Sequence, residues 1–237
     1  LLASSAASDV YKRQPYGLIL LLIVGLMMLE PHMSGTILIL AGAAAVLFAA
    51  GIKLYWFAGG GAALMGLVVL MMSGYQSTRI LVWQDPWAYP RDGGYQIIQS
   101  LYAIGSGGLL GLGLGKSRQK FLYLPEPEND FIFAIVCEEL GLIGAGIVLI
   151  LFALLVMRGY WIAIHARDRF GALLVVGITT LTAVQVFLNI SVVTNLIPTT
   201  GISLPFFSYG GTALMIQLAE MGIILSVSRQ IPAPRQE

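Results

Sequence analysis

Charge is the scarcest commodity in this chain. Only 11% of its 237 residues are Asp, Glu, Lys or Arg, while 57% are hydrophobic; soluble domains carry roughly 25% charged residues. Uncharged runs of about 18 or more apolar residues recur, which makes a polytopic membrane protein the only reasonable class. The lone cysteine, Cys137, excludes an internal disulfide, sits within an apolar run and reads as a small buried hydrophobe with no ligand set beside it. The formal net charge of +1 comes from basic residues scattered through loops, so it carries no nucleic-acid footprint. A signal-peptide pattern is also missing ahead of the first apolar segment. Instead, Leu1 to Gln14 is polar and unlike everything after it. That stretch is expected to be a non-native, disordered start, with the native protein beginning upstream and residues 15–237 forming part of one membrane domain.

What the chain does have is six apolar segments, at about 17–29, 35–52, 54–73, 131–157, 171–193 and 211–228. A bilayer offers no partner for open backbone groups, so helices are expected and the fold class is an all-α transmembrane bundle. The first segment falls short of the roughly 20 residues a span needs. Arg158, His165, Arg167 and Arg169, together with Lys53, Arg229 and Arg235, collect on one face, which the positive-inside rule assigns to the cytoplasm. The opposite face then carries residues 30–34, 74–130 and 194–210. The long loop 74–130 runs against the rule with Arg79, Arg91, Lys116, Arg118 and Lys120, although most lie far from the span ends, where the bias fades. Within it, residues 95–114 mix apolar residues with glycine, which predicts interfacial or re-entrant structure. Trp83, Trp87, Tyr89, Tyr95 and Tyr102 suit an aromatic belt at headgroup level.

Four stretches could carry chemistry. The glycine-rich run from Gly105 to Ser117 invites a nucleotide-binding reading that fails: a P-loop needs glycine where Leu110 stands, and a dinucleotide fingerprint needs it where Lys116 stands. Backbone nests with Lys116, Arg118 and Lys120 suit phosphate; a bent interfacial loop with a snorkelling lysine is the alternative. Next, the proline-broken acidic segment Pro125 to Phe133 brings Asp130 to the start of the fourth span. Asp130 is a candidate base at a membrane surface or, alternatively, a helix N-cap. Glu138 and Glu139 follow at about 12 Å greater depth, with Glu138 rotated roughly 80° from Asp130. Carboxylates within a span are functional candidates, with a structural pairing role as the alternative.

The third stretch, Asn195 to Thr212, interrupts membrane-depth sequence with Pro198, Pro205 and several glycines. Irregular backbone there is tolerated only when buried in protein or lining a cavity, and such breaks often build substrate sites. Ser203, Ser208 and Tyr209 supply hydroxyls for sugar or phosphate, and a purely structural turn is the competing reading. Finally, the tight turn Glu30 to Thr36 lies on the same face. Its His32 reads as a turn residue, and Ser34 as a cap for the next helix.

Together these stretches resemble the SEDS family (shape, elongation, division and sporulation), polytopic polymerases of bacterial cell-wall glycan. The resemblance rests on Glu30-Pro-His-Met-Ser-Gly-Thr36, on Tyr95-Gln96 with Gln99-Ser100 and Gly107-Gly108, on Asp130-Phe-Ile-Phe running to Glu138-Glu139-Leu-Gly141, and on Pro198 to Gly211. It covers nearly everything after Gln14. Family members have ten spans, so six imply that four precede this chain. The wording around Pro198-Thr-Thr-Gly-Ile-Ser203 looks more like the division and sporulation branch than the elongation branch.

The resemblance implies a glycosyltransferase that polymerises lipid II, a disaccharide-peptide on undecaprenyl pyrophosphate, at the outer face of the bacterial cytoplasmic membrane. Asp130 matches the family's essential aspartate and is the implied general base. Lys116 and Arg118 are the candidates to face the departing pyrophosphate. Gln96, Ser100, Glu138, Glu139, Thr200, Ser203, Ser208 and Tyr209 complete the expected substrate-binding set. A divalent cation (Mg or Mn) on the pyrophosphate is compatible with this chemistry, and no ligand set for it stands out. The implied partners are a class B penicillin-binding transpeptidase and other division or elongation proteins. Two other classes compete. A flippase for the same lipid would place functional groups at the midplane and both faces, and a non-catalytic scaffold would tolerate Asp130→Asn.

Overall fold

The computed structural model describes residues 17–27, 33–53, 55, 57, 59, 74–91, 93–119 and 129–231. The expected third span, the turn residues Glu30 to His32, the segment Pro125 to Glu128 and the polar start therefore lie outside the described residues. In chain order the helices are α1 (Gly17–Met27), α2 (Met33–Ala49), α3 (Gly74–Gln84), α4 (Gly94–Gly107), α5 (Ile132–His165), α6 (Arg169–Val193) and α7 (Gly211–Ser228), with a 3-10 turn at Pro86–Ala88. Every described regular element is helical, as the bilayer argument requires. Of these, α5, α6 and α7 are long and apolar enough to cross a membrane, whereas α1 and α2 are shorter apolar helices.

The centre of the bundle is α6. It packs against α2, α4, α5 and α7, and 44% of its most apolar stretch is buried, against 22% for α5 and 17% for α7. The outward faces of α5 and α7 expose Leu142, Ile147, Ile150, Leu154, Met215, Leu218 and Leu225. An apolar surface of that extent fits lipid and not water. Small residues set the closest approach: a Cβ at Gly159 of α5 would lie 2.4 Å from Thr179 Oγ1 on α6. Close backbone approach at small residues is how membrane helices gain van der Waals contact. Replacing Gly159 by Leu should force the two helices apart and cost about 1–3 kcal/mol, read as a lower melting temperature in detergent. An unchanged melting temperature would remove this contact as a determinant of packing.

Two helix ends fix the loops that matter. At the start of α6, Asp168 accepts a hydrogen bond from the Gly171 N–H at 2.7 Å, satisfying one orphan donor and terminating the short connection from α5. At its far end the Leu196 N–H donates to Ser191 O at 2.7 Å and the Asn195 N–H to Val192 O at 2.9 Å, a Schellman stop with Asn195 at φ 57°. Asparagine tolerates this left-handed position. The chain therefore leaves α6 in a fixed direction, back over the end of the bundle where α5 begins.

The expected uninterrupted fourth span is not what forms. The segment is helical to His165, further than expected, and at 34 residues it would reach about 51 Å if straight, far beyond the roughly 30 Å hydrocarbon core. Gly141 breaks it at φ 68°, ψ −171°. Before the break Phe133, Ala134, Ile135, Cys137 and Glu138 are buried in protein; after it Leu142 and Ile143 are exposed. Glu138 and Glu139 consequently sit on a short protein-enclosed limb ahead of the lipid-facing span, and not deep within that span.

Candidate active site

Asp130 lies in the turn 129–131 that opens α5. The cap position itself falls on Phe131, which makes no side-chain cap bond, so Asp130 stands one residue outside the capping geometry. Around it folds the loop that follows α6. A Cβ built on Gly201 would come 3.6 Å from Asp130 Oδ2, an ordinary contact distance, so the loop passes close to the carboxylate; it is the φ of 72° at Gly201 that favours glycine there. Ser208 ties the other side: its hydroxyl donates to Asn129 O at 2.7 Å and accepts from the Leu204 N–H at 2.7 Å. The turn between them places Phe206 at φ 65°, an uncommon conformation for an aromatic residue. The Gln217 side chain from α7 holds it there, accepting from the Phe206 N–H at 2.8 Å.

The remaining outer pieces dock on the same loop. The Ser34 hydroxyl at the start of α2 donates to Thr200 O, which is a cross-link and not the helix cap expected of it. Arg79 Nη1 of α3 donates to Thr199 O at 3.2 Å. Trp83 Nε1 donates to Asn195 O at 3.1 Å, and Asn195 Nδ2 returns a bond to Trp83 O at 3.4 Å. Ser100 is fully buried and its hydroxyl donates to Val193 O at 2.8 Å, anchoring α4 against the end of α6. Residues widely separated in sequence are thus gathered at the Asp130 end of the bundle, with Asp130 beside an irregular, hydrogen-bonded loop.

The glycine-rich stretch forms a second, distinct assembly. After α4 ends at Gly107, its backbone enters the break in α5. The Leu112 and Gly113 N–H groups donate to Glu138 O and Glu139 O at 2.9 and 3.0 Å, and the Leu142 and Ile143 N–H groups donate to Gly108 O and Leu109 O at 2.9 and 3.2 Å. These bonds satisfy the carbonyls and amides that the break at Gly141 would leave open. The Glu138 carboxylate is 1% exposed and is occupied by the same loop: it accepts from the Ser117 hydroxyl, from the Arg118 N–H at 3.1 Å and from Ser106 at 3.5 Å. Glu138 therefore acts on this structure as a clasp. The loop it holds presents Lys116 and Arg118, both exposed.

The other expected site residues are dispersed. Tyr209 is 79% exposed. Gln96 lines a shallow depression of about 500 Å³ with Pro90, Arg91, Gly93 and Tyr95. Ser203 and Thr200 are half-buried in the loop beside Asp130, and Glu139 is half-buried beyond Glu138. Among the described residues no group of three or more His, Cys, Asp or Glu side chains could hold a metal ion. Three contributors carried no flag in the sequence: Asn189, Gln217 and the break at Gly141. A lone Asn or Gln within an apolar run was the available signal, since such groups are buried in a bilayer only with partners.

Comparison with known proteins agrees with the all-helical membrane fold. Residues 5–232 match the FtsW/RodA/SpoVE family, described as "Cell cycle protein". The chain belongs to that family. It is 50% identical over 207 residues to Stage V sporulation protein E of Bacillus subtilis (strain 168), covering 86% of this chain and 56% of that protein. It is 44% identical over 219 residues to the "Probable peptidoglycan glycosyltransferase FtsW" of Geobacter sp. (strain M18), covering 92% of this chain and 60% of that one. Among solved structures it resembles a chain described under "Structural coordination of polymerization and crosslinking by a peptidoglycan synthase complex". The TM-score is 0.72 at 31% identity, over 93% of this chain and 62% of that chain. It also resembles the Rod shape determining protein RodA of Thermus thermophilus, with a TM-score of 0.61 at 28% identity over 95% of this chain and 58% of that chain. The chain thus spans about 56–62% of the length of these relatives, and it is a membrane protein.

Proposed function

We propose that the protein is a peptidoglycan glycosyltransferase that polymerises lipid II at the outer face of the bacterial cytoplasmic membrane, spanning it several times. The observation that carries this reading is the setting of Asp130: a carboxylate at the end of a membrane helix, close to an irregular loop that hydrogen bonds from Ser34, Asn189 and Ser208 hold in place. Relatives named as probable peptidoglycan glycosyltransferases support it.

In the proposed reaction the acceptor sugar's 4-hydroxyl oxygen attacks the anomeric carbon of the donor. The new C–O bond forms as the bond from that carbon to the pyrophosphate oxygen breaks, with inversion. The Asp130 carboxylate takes the hydroxyl proton, and the lipid pyrophosphate leaves with the bonding electron pair. That leaving group is already an anion, so it needs neighbouring positive charge more than a second acid. Lys116 and Arg118, on the loop clasped by Glu138, are the candidates. The sporulation and division relatives favour a role in septum or spore wall synthesis over cylinder elongation. The proposed partner is a class B penicillin-binding transpeptidase, which would crosslink the product; a structural neighbour described by polymerization and crosslinking in a peptidoglycan synthase complex supports this.

The test is incubation of the purified full-length protein with lipid II, with and without its cognate transpeptidase, followed by separation of glycan strands by length. Long strands are the expected product. Lipid II moved across vesicles without polymer would assign transport instead, and neither activity would assign scaffolding.

A further inference from the structure

Asn189 is 1% exposed, near the end of α6. Its side-chain nitrogen donates two hydrogen bonds of 2.7 Å each, one to Asp130 O and one to Ile202 O. Two carbonyl acceptors can be served only by an NH2 group, so the pattern fixes the orientation of the amide. One side chain on the most buried helix therefore joins the turn bearing Asp130 to the loop bearing Gly201. The two segments meet beside the Asp130 carboxylate, since a Cβ on Gly201 would lie 3.6 Å from Asp130 Oδ2, so the tie between them bears on where the carboxylate stands.

The surroundings make this amide hard to replace. Phe131, Val186, Val193 and Leu204, close to these segments in sequence, belong to one buried apolar cluster, and the bond to Ile202 O is itself buried. Asn189 Oδ1 is buried without a partner among the described residues. An apolar residue there would avoid that unmet acceptor, while a buried polar group with half its capacity unused is costly. The feature that the asparagine alone brings is the double donor. The turn and the loop are already linked to each other by Ser208 to Asn129, and the loop to α2 by Ser34 to Thr200; of these three ties, the one from Asn189 fixes both segments to α6.

We infer that Asn189 is a positioning residue for Asp130: its amide fixes the main chain of residues 130 and 202 so that the carboxylate meets the acceptor hydroxyl. The inference rests on the polymerase reading given above. A base displaced by about 1 Å loses on the order of 10²-fold in rate while substrate contacts elsewhere persist. Removal of the amide should therefore act on turnover and spare substrate affinity.

The experiment measures lipid II polymerisation against lipid II concentration for the full-length wild type, Asn189→Ala and Asn189→Leu, each with its melting temperature in the same detergent. Leucine keeps the volume in an apolar pocket and removes both donors, which guards against a variant that merely collapses. The expected result is a folded variant whose kcat falls about 10- to 100-fold with KM within about twofold of wild type. A folded variant with wild-type kcat overturns the inference. So does a loss that vanishes once rates are scaled to the folded fraction, or failure of both variants to fold, since each assigns Asn189 to the fold alone. An inactive wild type overturns the polymerase reading itself and this inference with it, and is recognised because it precedes any comparison of variants.

Discussion

Full-length protein carrying Asp130→Asn should make no detectable long glycan strands from lipid II while melting at the wild-type temperature. The expected loss in kcat is about 10²- to 10⁴-fold, the contribution of a positioned general base. An amide has the carboxylate's shape but cannot take the acceptor's proton at neutral pH. Stability should survive because the bonds from Asn189 and Ser208 reach main-chain carbonyls, Asp130 O and Asn129 O, and both carbonyls remain in the variant. The cap position of α5 belongs to Phe131, so the substitution leaves the cap residue itself unchanged. Strand-length analysis of a folded variant decides the matter. Undiminished polymer from Asp130→Asn would remove it as the base and leave the irregular loop as a binding surface only.

The contrast between Asp130 and Glu138 shows what the sequence could and could not disclose. The place of Asp130 at the start of α5 was legible because its neighbours in sequence define it: an acidic, proline-broken sequence on one side, an apolar run on the other. The helices α6 and α7 were legible for the same local reason, as uninterrupted apolar runs. Glu138 was not, because its meaning depends on Ser106, Ser117 and Arg118, which lie 20 to 32 residues away. Read locally, it was a carboxylate in a membrane span, with substrate binding and structural pairing both open; folded, its oxygens are taken up by a loop. Gly141 hid for a related reason. A glycine in an apolar helix usually means close packing, and nothing beside it in sequence announces that another backbone will enter the helix there. Asn189 belongs with them: its two acceptors, Asp130 O and Ile202 O, come from opposite sides of it in sequence.

That inserted backbone sets up the second large effect. Gly141→Ala and Gly111→Ala should each lower stability by about 2–6 kcal/mol, the sum of a strained backbone and an overpacked contact. Gly141 sits at φ 68°, ψ −171°, a region essentially restricted to glycine. A Cβ there would lie 2.3 Å from Gly111 N and 2.6 Å from Leu109 O; at Gly111, with φ 77°, it would lie 2.2 Å from Glu139 O. All of these are main-chain atoms, which cannot rotate away as a side chain can. Either substitution must open the four backbone bonds between residues 108–113 and 138–143, and the ends of the broken helix then lose their partners within an apolar environment. Gly146, five residues further along the same helix, has open space at its Cβ and a helical backbone, so Gly146→Ala should be neutral or slightly stabilising. The measurement is the melting temperature of the three variants in one detergent. Because the loop carries Lys116 and Arg118, the surviving folded fraction of Gly111→Ala should also need more lipid II to reach half-maximal rate. Equal melting temperatures for Gly141→Ala and Gly146→Ala would mean that the loop does not enter the helix. In that case the clasp by Glu138 would have nothing to hold in place.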